Sequence, residues 1–276
     1  MRWDRDYVKE AADSGKVIPG FNIFGYEDAL AVTHAAEKAG CPVLLMVNRG
    51  AGDAMDVECW GKLLSSIAQR AAVPIGVHLD HCSDTGTIRR AVDSGFSSVM
   101  YDGSKFSFEK NREITQQMAE YAHARGALLE AELGQVPYSD LGETDILYTS
   151  PEEAAGMSSE TEADWLAVSV GNVHRLADRT APIDFSVLHQ IQKACRLPLV
   201  IHGSSGICSA DIKRMKNKRI GKMNFGTVLR KAFSDALRKE LREHPEEFDR
   251  LKLFAYPAVR VEQEAYQIIS MLQEEK

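Results

Sequence analysis

Val73-Pro74-Ile75-Gly76-Val77-His78-Leu79-Asp80-His81 is a short apolar run that breaks off into polar side chains. Ile75 to Leu79 therefore reads as a buried strand. Asp84 to Ser94 follow with apolar residues at three- and four-residue spacing, which predicts a helix with Ser83 as its N-cap. Ser97 to Tyr101 returns to a strand. Working outward, the same alternation continues. Strands are expected at Val17 to Ile23, Pro42 to Val47, Ala127 to Glu132, Trp165 to Val170, Leu199 to Ile201 and Ile220 to Phe225. Helices are expected at Tyr26 to Lys38, Val57 to Ala71 and Phe108 to Ala124, and at Ala210 to Lys216 behind a Ser209 cap. Gly40, Gly95 and Gly126 stand where left-handed helix ends want glycine. Alternating strands and helices imply parallel strands with right-handed crossovers. Eight such units close into an α/β fold of the (β/α)8 TIM-barrel type. A doubly wound open sheet is the competitor, and the lack of a glycine fingerprint after the first strand speaks against it. Thr227 to Glu243 and Pro245 to Lys276 predict extra C-terminal helices, and no linker divides residues 1–276, so a single domain is expected.

Composition narrows the function. A chain of 276 residues with a formal charge of −7 does not offer the basic surface that nucleic acid or an anionic membrane needs. No apolar stretch of about eighteen residues appears, so no membrane span is expected. The first six residues carry acids and no long apolar run, unlike a secretory signal. Cys41, Cys59, Cys82, Cys195 and Cys208 are odd in number and scattered without a CxxC pair. Reduced thiols in a cytoplasmic protein are the natural reading.

In a barrel, ligands bind where strands end. His81 ends the third strand, Glu132 the fifth, His174 lies beyond the sixth and His202 ends the seventh. Three imidazoles from three strands, beside Asp80, match a catalytic zinc site with one open position, able to polarise a carbonyl oxygen. One such histidine alone is more often a hydrogen-bonded rim residue; it is their coincidence that favours a metal. Strand alternation puts His78 on the same face as Asp80 and His81 on the other, unless the strand has already ended. His78 is accordingly expected to be packed rather than ligating. His34, His123, His189 and His244 fall on helices and are expected to face solvent. Gly203-Ser204-Ser205-Gly206 and Asn224-Phe225-Gly226-Thr227 follow strands seven and eight, where barrels frequently hold a phosphate at a helix N-terminus.

Taken together, Gly20-Phe21-Asn22, Val77-His78-Leu79-Asp80-His81, Gly95 to Ser104, Glu130-Ala131-Glu132-Leu133-Gly134, Leu147 to Ala154 and His202-Gly203-Ser204-Ser205-Gly206 resemble the class II fructose-bisphosphate aldolases. The branch of tagatose-bisphosphate and related ketose-bisphosphate aldolases is the most similar, and the match runs from about residue 17 to about residue 230. The resemblance implies His81, His174 and His202 as zinc ligands and Glu132 as a carboxylate near the metal. It implies Asp80 as the group that moves a proton to and from the C4 hydroxyl. It implies Gly203, Ser205, Asn224 and Thr227 as holders of the ketose phosphate, with a monovalent cation (Na+ or K+) nearby. Asn22 and Asp102 match active-site positions of less defined role. The expected reaction is reversible cleavage of a phosphorylated ketose to dihydroxyacetone phosphate and an aldehyde. The expected assembly is a homodimer or homotetramer.

Three stretches depart from the family pattern. Arg175 follows the second histidine where glycine is usual; it can supply charge to an anion or point away. The loop Gln135 to Glu143 lacks the usual Gly-Gly-Glu-Glu-like run, leaving Asp140, Glu143 or Tyr138 to exchange the carbon-bound proton. Val47 to Gly52 replaces a serine-containing loop, and Arg49 there either meets a distal anion or is an ordinary exposed arginine. Arg260 is a candidate to reach a neighbouring subunit's distal phosphate. Cys82 is the thiol beside the site. A different, non-bisphosphorylated ketose or donor, or a non-catalytic metal-binding relative, are the alternatives these departures raise.

Overall fold

The computed structural model describes residues 3–143, 145–216 and 218–274. In chain order the helices are α1 (Tyr7–Ser14), α2 (Tyr26–Ala39), α3 (Arg49–Ala54), α4 (Val57–Arg70), α5 (Thr85–Asp93), α6 (Phe108–His123), α7 (Pro151–Glu160), α8 (Phe185–Ala194), α9 (Ser209–Met215), α10 (Thr227–Glu243) and α11 (Arg250–Gln273). The strands are β1 (Ile18–Asn22), β2 (Val43–Val47), β3 (Ile75–Cys82), β4 (Ser98–Tyr101), β5 (Leu128–Leu133), β6 (Trp165–Val168), β7 (Leu199–Ile201) and β8 (Ile220–Phe225). They pair in parallel, each with the next, and β8 pairs with β1. Closure excludes the open doubly wound sheet. Strands covered on both faces need apolar residues throughout, and β2, Val-Leu-Leu-Met-Val, is buried at every position.

Four helices fall outside the ranges that the apolar spacing predicts: α1, α3, α7 and α8. α3 is a single short turn capped by the Asn48 side chain. α1 is capped by Asp6 and ends on Gly15 at φ 71°. Its Tyr7, Val8 and Ala11 pack against Ile18, Leu44, Met46, Met100, Trp165 and Val200, closing the barrel at the N-terminal ends of the strands.

Several boundaries move, each for a local reason. Asp84, not Ser83, caps α5, its carboxylate accepting from Thr87 N at 2.7 Å. Ser209 is already inside α9; Cys208 holds the cap position and makes no side-chain cap bond. β6 stops at Val168 because Ser169 N donates to Thr149 Oγ1 and Gly171 turns the chain at φ 100°. The last helix starts at Arg250, where Asp249 caps it, rather than at Pro245, and residues 275 and 276 of that expectation lie outside the described residues. Gly40, Gly95 and Gly126 all take positive φ, as their places after helices predict.

Because alternate residues of a barrel strand face inward, the interior is layered. His78 lies below Asp80 on β3, Glu130 below Glu132 on β5, Lys222 below Asn224 on β8, and Val200 below His202 beyond β7.

Candidate active site

At the C-terminal ends of the strands His81, His174 and His202 converge, each offering a ligand atom within 4.8 Å of the others. Simple alternation would turn His81 away from this centre. The ladder between β3 and β4 is irregular between Leu79 and Cys82, and His81 takes φ 52°, which frees it from alternation. His78, by contrast, stays fully buried, Nδ1 at 2.9 Å from Ser98 Oγ. His34, His123 and His189 are exposed on helices as expected, and His244, also exposed, stands just past the end of α10 rather than within a helix.

The polar groups of the triad test whether it suits a metal. His81 Nε2 and His202 Nδ1 face each other at 2.6 Å. Their outer nitrogens are held by carboxylates: His81 Nδ1 lies 3.3 Å from Asp102, and His202 Nε2 lies 2.8 Å from Glu130 Oε1. His174 Nε2 is buried with no hydrogen-bond partner, an arrangement that costs free energy unless something else takes its lone pair. Burial, followed by the neighbouring His81 charge, drives the pKa of both His174 and His202 well below the ordinary imidazole value, so both are neutral lone-pair donors. Burial pushes His81 down as well, but Glu132, Asp80 and Asp102 outweigh it and raise that imidazole well above its usual value. The donor set fits a divalent ion such as zinc.

Carboxylates complete the centre. Burial acts to raise Asp80, yet His81, His202 and Lys222 prevail and hold it below the ordinary value, hence ionised. Asn22 Nδ2 donates to Asp80 Oδ2 at 2.8 Å, and Asn224 Nδ2 donates to Oδ1 at 3.1 Å. Glu132 is pushed up to about 8, first by burial and then by Asp102 beside it.

The loop after β5 packs over the triad. Tyr138 bridges to His174 in parallel register and stacks on its ring, centroids 4.5 Å apart. Arg175 Nη1 meets Asp140 Oδ2 at 2.6 Å, and its guanidinium lies 5.2 Å from the Tyr138 ring centre. Glu143 accepts from Tyr138 N at 2.8 Å. Arg175 itself takes φ 57°, the left-handed conformation glycine adopts without strain. The departure from the family pattern thus changes the residue and keeps the backbone shape glycine would favour.

Two cavities share the residues Asn48, Arg49, Gly50, His81, Tyr138, His174 and Arg175. The larger, about 1540 Å³, opens past Asp80, Asp102 and Glu132 toward α4 and α5. The smaller, about 80 Å³, is lined by Asn22, Gly203, Ser205, Asn224, Gly226, Thr227 and Arg230 at the start of α10. Gly203 sits there at φ 64°, and a Cβ on it would collide with the Val173 carbonyl. Arg49 borders both cavities and is largely exposed. Arg260 borders neither; it lies on α11 in a separate groove with Thr227, Lys231 and Tyr256.

The family model described as class-II fructose-bisphosphate aldolase matches residues 4–276. The chain belongs to that family. This aldolase is 32% identical over 245 residues to the sulfofructosephosphate aldolase of Alkalicoccus urumqiensis, covering 87% of this chain and 85% of that one. Its fold superposes on the YdjI aldolase from Escherichia coli K12 with a TM-score of 0.84 at 31% identity, over 97% and 95% of the two chains. The fructose-bisphosphate aldolase of Campylobacter jejuni, 24% identical with a TM-score of 0.81 over 96% and 92%, shares the fold. The chain is therefore a lyase of the aldolase class, with the barrel and the family that its motifs predict.

Some functional neighbours escape the sequence reading. Glu130 and Lys222 sit two residues before Glu132 and Asn224 on their strands, so the inward face that carries the site could have revealed them. Arg230 stands one helical turn after Thr227 and faces the same cavity. The bond between Arg175 and Asp140 joins two loops distant in sequence, and no local pattern announces it.

Proposed function

We propose that this aldolase uses zinc to cleave a phosphorylated ketose reversibly into dihydroxyacetone phosphate and an aldehyde. The observation that carries the reading is the buried, partnerless His174 Nε2 beside two imidazoles whose outer nitrogens are tethered and an ionised Asp80 clamped by two amides. Zinc held by His81, His174 and His202, with Glu132 alongside, would supply Lewis-acid polarisation of the substrate carbonyl. Asp80 takes the proton of the C4 hydroxyl. The oxygen's electron pair forms the aldehyde carbonyl, the C3–C4 bond breaks, and its pair passes to the ketose half, which is then protonated at C3. Asn22 and Asn224 keep Asp80 oriented for that transfer.

Gly203, Ser205, Asn224 and Thr227, with the N-terminus of α10, suit the ketose phosphate, and a monovalent cation (Na+ or K+) belongs with it. The distal half of the sugar extends into the larger cavity, where Arg49 is available to an anionic end and Arg175 would have to leave Asp140 to meet one. A sulfonated ketose phosphate, as in the name of the Alkalicoccus relative, falls within this class. Of the three loop candidates for protonating C3, Tyr138 is favoured, because the Asp140 and Glu143 carboxylates are engaged by Arg175 and by Tyr138 N. Arg260 would act only across a homodimer or homotetramer. The five free cysteines support a reducing, cytoplasmic setting.

A panel of ketose 1-phosphates, with dihydroxyacetone phosphate release followed by a coupled assay, tests the reading. Zinc-loaded protein should release it from at least one ketose, chelation should abolish release, and Asp80→Asn should lower kcat by roughly 10²- to 10⁴-fold with zinc still bound. Release that survives removal of the metal contradicts the proposal.

A further inference from the structure

One layer beneath the triad, inside the barrel, lies a charged group that the proposed reaction leaves unused. Lys222 and Glu130 are both fully buried, with Nζ 2.6 Å from Oε2. The other carboxylate oxygen of Glu130 meets His202 Nε2 at 2.8 Å, and Lys222 Nζ also lies 3.1 Å from His78 Nε2. His78 Nδ1 is in turn 2.9 Å from Ser98 Oγ, and Trp165 covers the ammonium at 5.7 Å from its ring centre. The chain thus runs Ser98, His78, Lys222, Glu130, His202, from β4 across the barrel axis to the rim.

A buried ion pair is poor evidence of a device for stability, since apolar residues of similar size generally do as well or better in its place. Its geometry has a clearer consequence. The bond from Lys222 Nζ to Oε2 turns Glu130 Oε1 toward His202 Nε2 at 2.8 Å, where a carboxylate oxygen accepts from a proton on Nε2. Nδ1, the nitrogen that faces His81 Nε2, is then the one with the free lone pair. Lys222 touches no part of the reacting centre, yet its bond to Glu130 aims the oxygen that holds His202.

We propose that Lys222 is a positioning residue for metal binding, orienting Glu130 so that it holds His202 by Nε2 and presents Nδ1 to the ion. The inference rests on the metal reading of the triad. Lys222→Arg keeps the cation, Lys222→Met removes it at similar length, and Glu130→Gln keeps the shape of the acceptor while allowing it to donate.

The experiment is a chelator competition that measures zinc affinity on folded, metal-free protein, alongside wild type. Wild-type protein that takes up no stoichiometric zinc overturns the metal reading itself. With wild type binding, Lys222→Met and Glu130→Gln should each lose roughly 10- to 100-fold in affinity, the usual effect of removing the group behind a ligating histidine. Lys222→Arg should recover most of it, and the double variant should bind no worse than Glu130→Gln alone. A folded Lys222→Met with wild-type affinity, or an arginine variant as weak as the methionine one, overturns the proposal. If Lys222→Met does not fold, the double variant, which removes both buried charges together, decides: equality with Glu130→Gln supports action through Glu130, and a further loss contradicts it.

Discussion

His81 and Arg175 carry left-handed backbone at the edge of the same centre, one a member of the triad and the other beside one. Such a conformation costs a residue other than glycine about 1–2 kcal/mol. At His81 the gain is position, since it brings the ring to His202 against the strand's alternation. At Arg175 the gain is the bond to Asp140, yet that pair is partly exposed and should contribute no more than about 0.2–1 kcal/mol. The two terms are of similar size, so Arg175→Gly should leave stability within about 1 kcal/mol of wild type, glycine's added unfolded-state freedom of about 0.4–1 kcal/mol included. Arg175→Ala keeps the strain and loses the bond, and should be the less stable of the two variants. Denaturant melts of both check this; an alanine variant more stable than the glycine one would mean that the backbone at 175 is not strained. The residue type at 175 was legible in the sequence as a departure, but its φ was not, because glycine's absence says nothing about whether its conformation is kept.

At the scale of elements, α1 shows what the alternation of strands and helices does not announce. It is eight residues long and precedes the first strand, so it lacks the turns needed for a clear apolar period. Besides its packed apolar face, one oxygen ties it down: Asp6 Oδ1 accepts from Lys9 N and from Trp165 Nε1, each at 2.9 Å. Asp6→Ala removes the cap and leaves the buried indole N–H without its partner. The expected cost is about 1–2 kcal/mol of folding stability. Steady-state kinetics should be unchanged, because this end of the barrel is opposite the triad. A full-stability Asp6→Ala would show that the cap and the indole bond hold nothing. The existence and order of the eight strands, in contrast, were legible, since continuous burial forces continuous apolar runs between polar ends. Their termini were the least legible part. β3 continues through an irregularity, and β6 is cut short by a threonine hydroxyl twenty residues away in sequence.

For the whole molecule, the barrel gathers groups from β1, β3, β5, β8 and the segments beyond β6 and β7 around a single centre. The histidines and Asp80 were legible because each closes or follows an apolar run, where a polar side chain has no reason of packing to be. Of the supporting layer, His78 was read as a packed residue, whereas the roles of Glu130 and Lys222, inside runs of buried residues, emerge from their pairing across the axis. The overall reading is a metal-assisted carbon–carbon lyase that handles a carbon-bound proton of the ketose half. Deuterium uptake into dihydroxyacetone phosphate in D2O, followed by NMR, tests that claim most directly because it needs no knowledge of the aldehyde. Zinc-loaded protein should exchange a hydrogen on the hydroxymethyl carbon, and chelated protein should not. Zinc-loaded protein that binds the phosphate and leaves its hydrogens untouched would contradict the reading and favour a non-catalytic metal-binding relative.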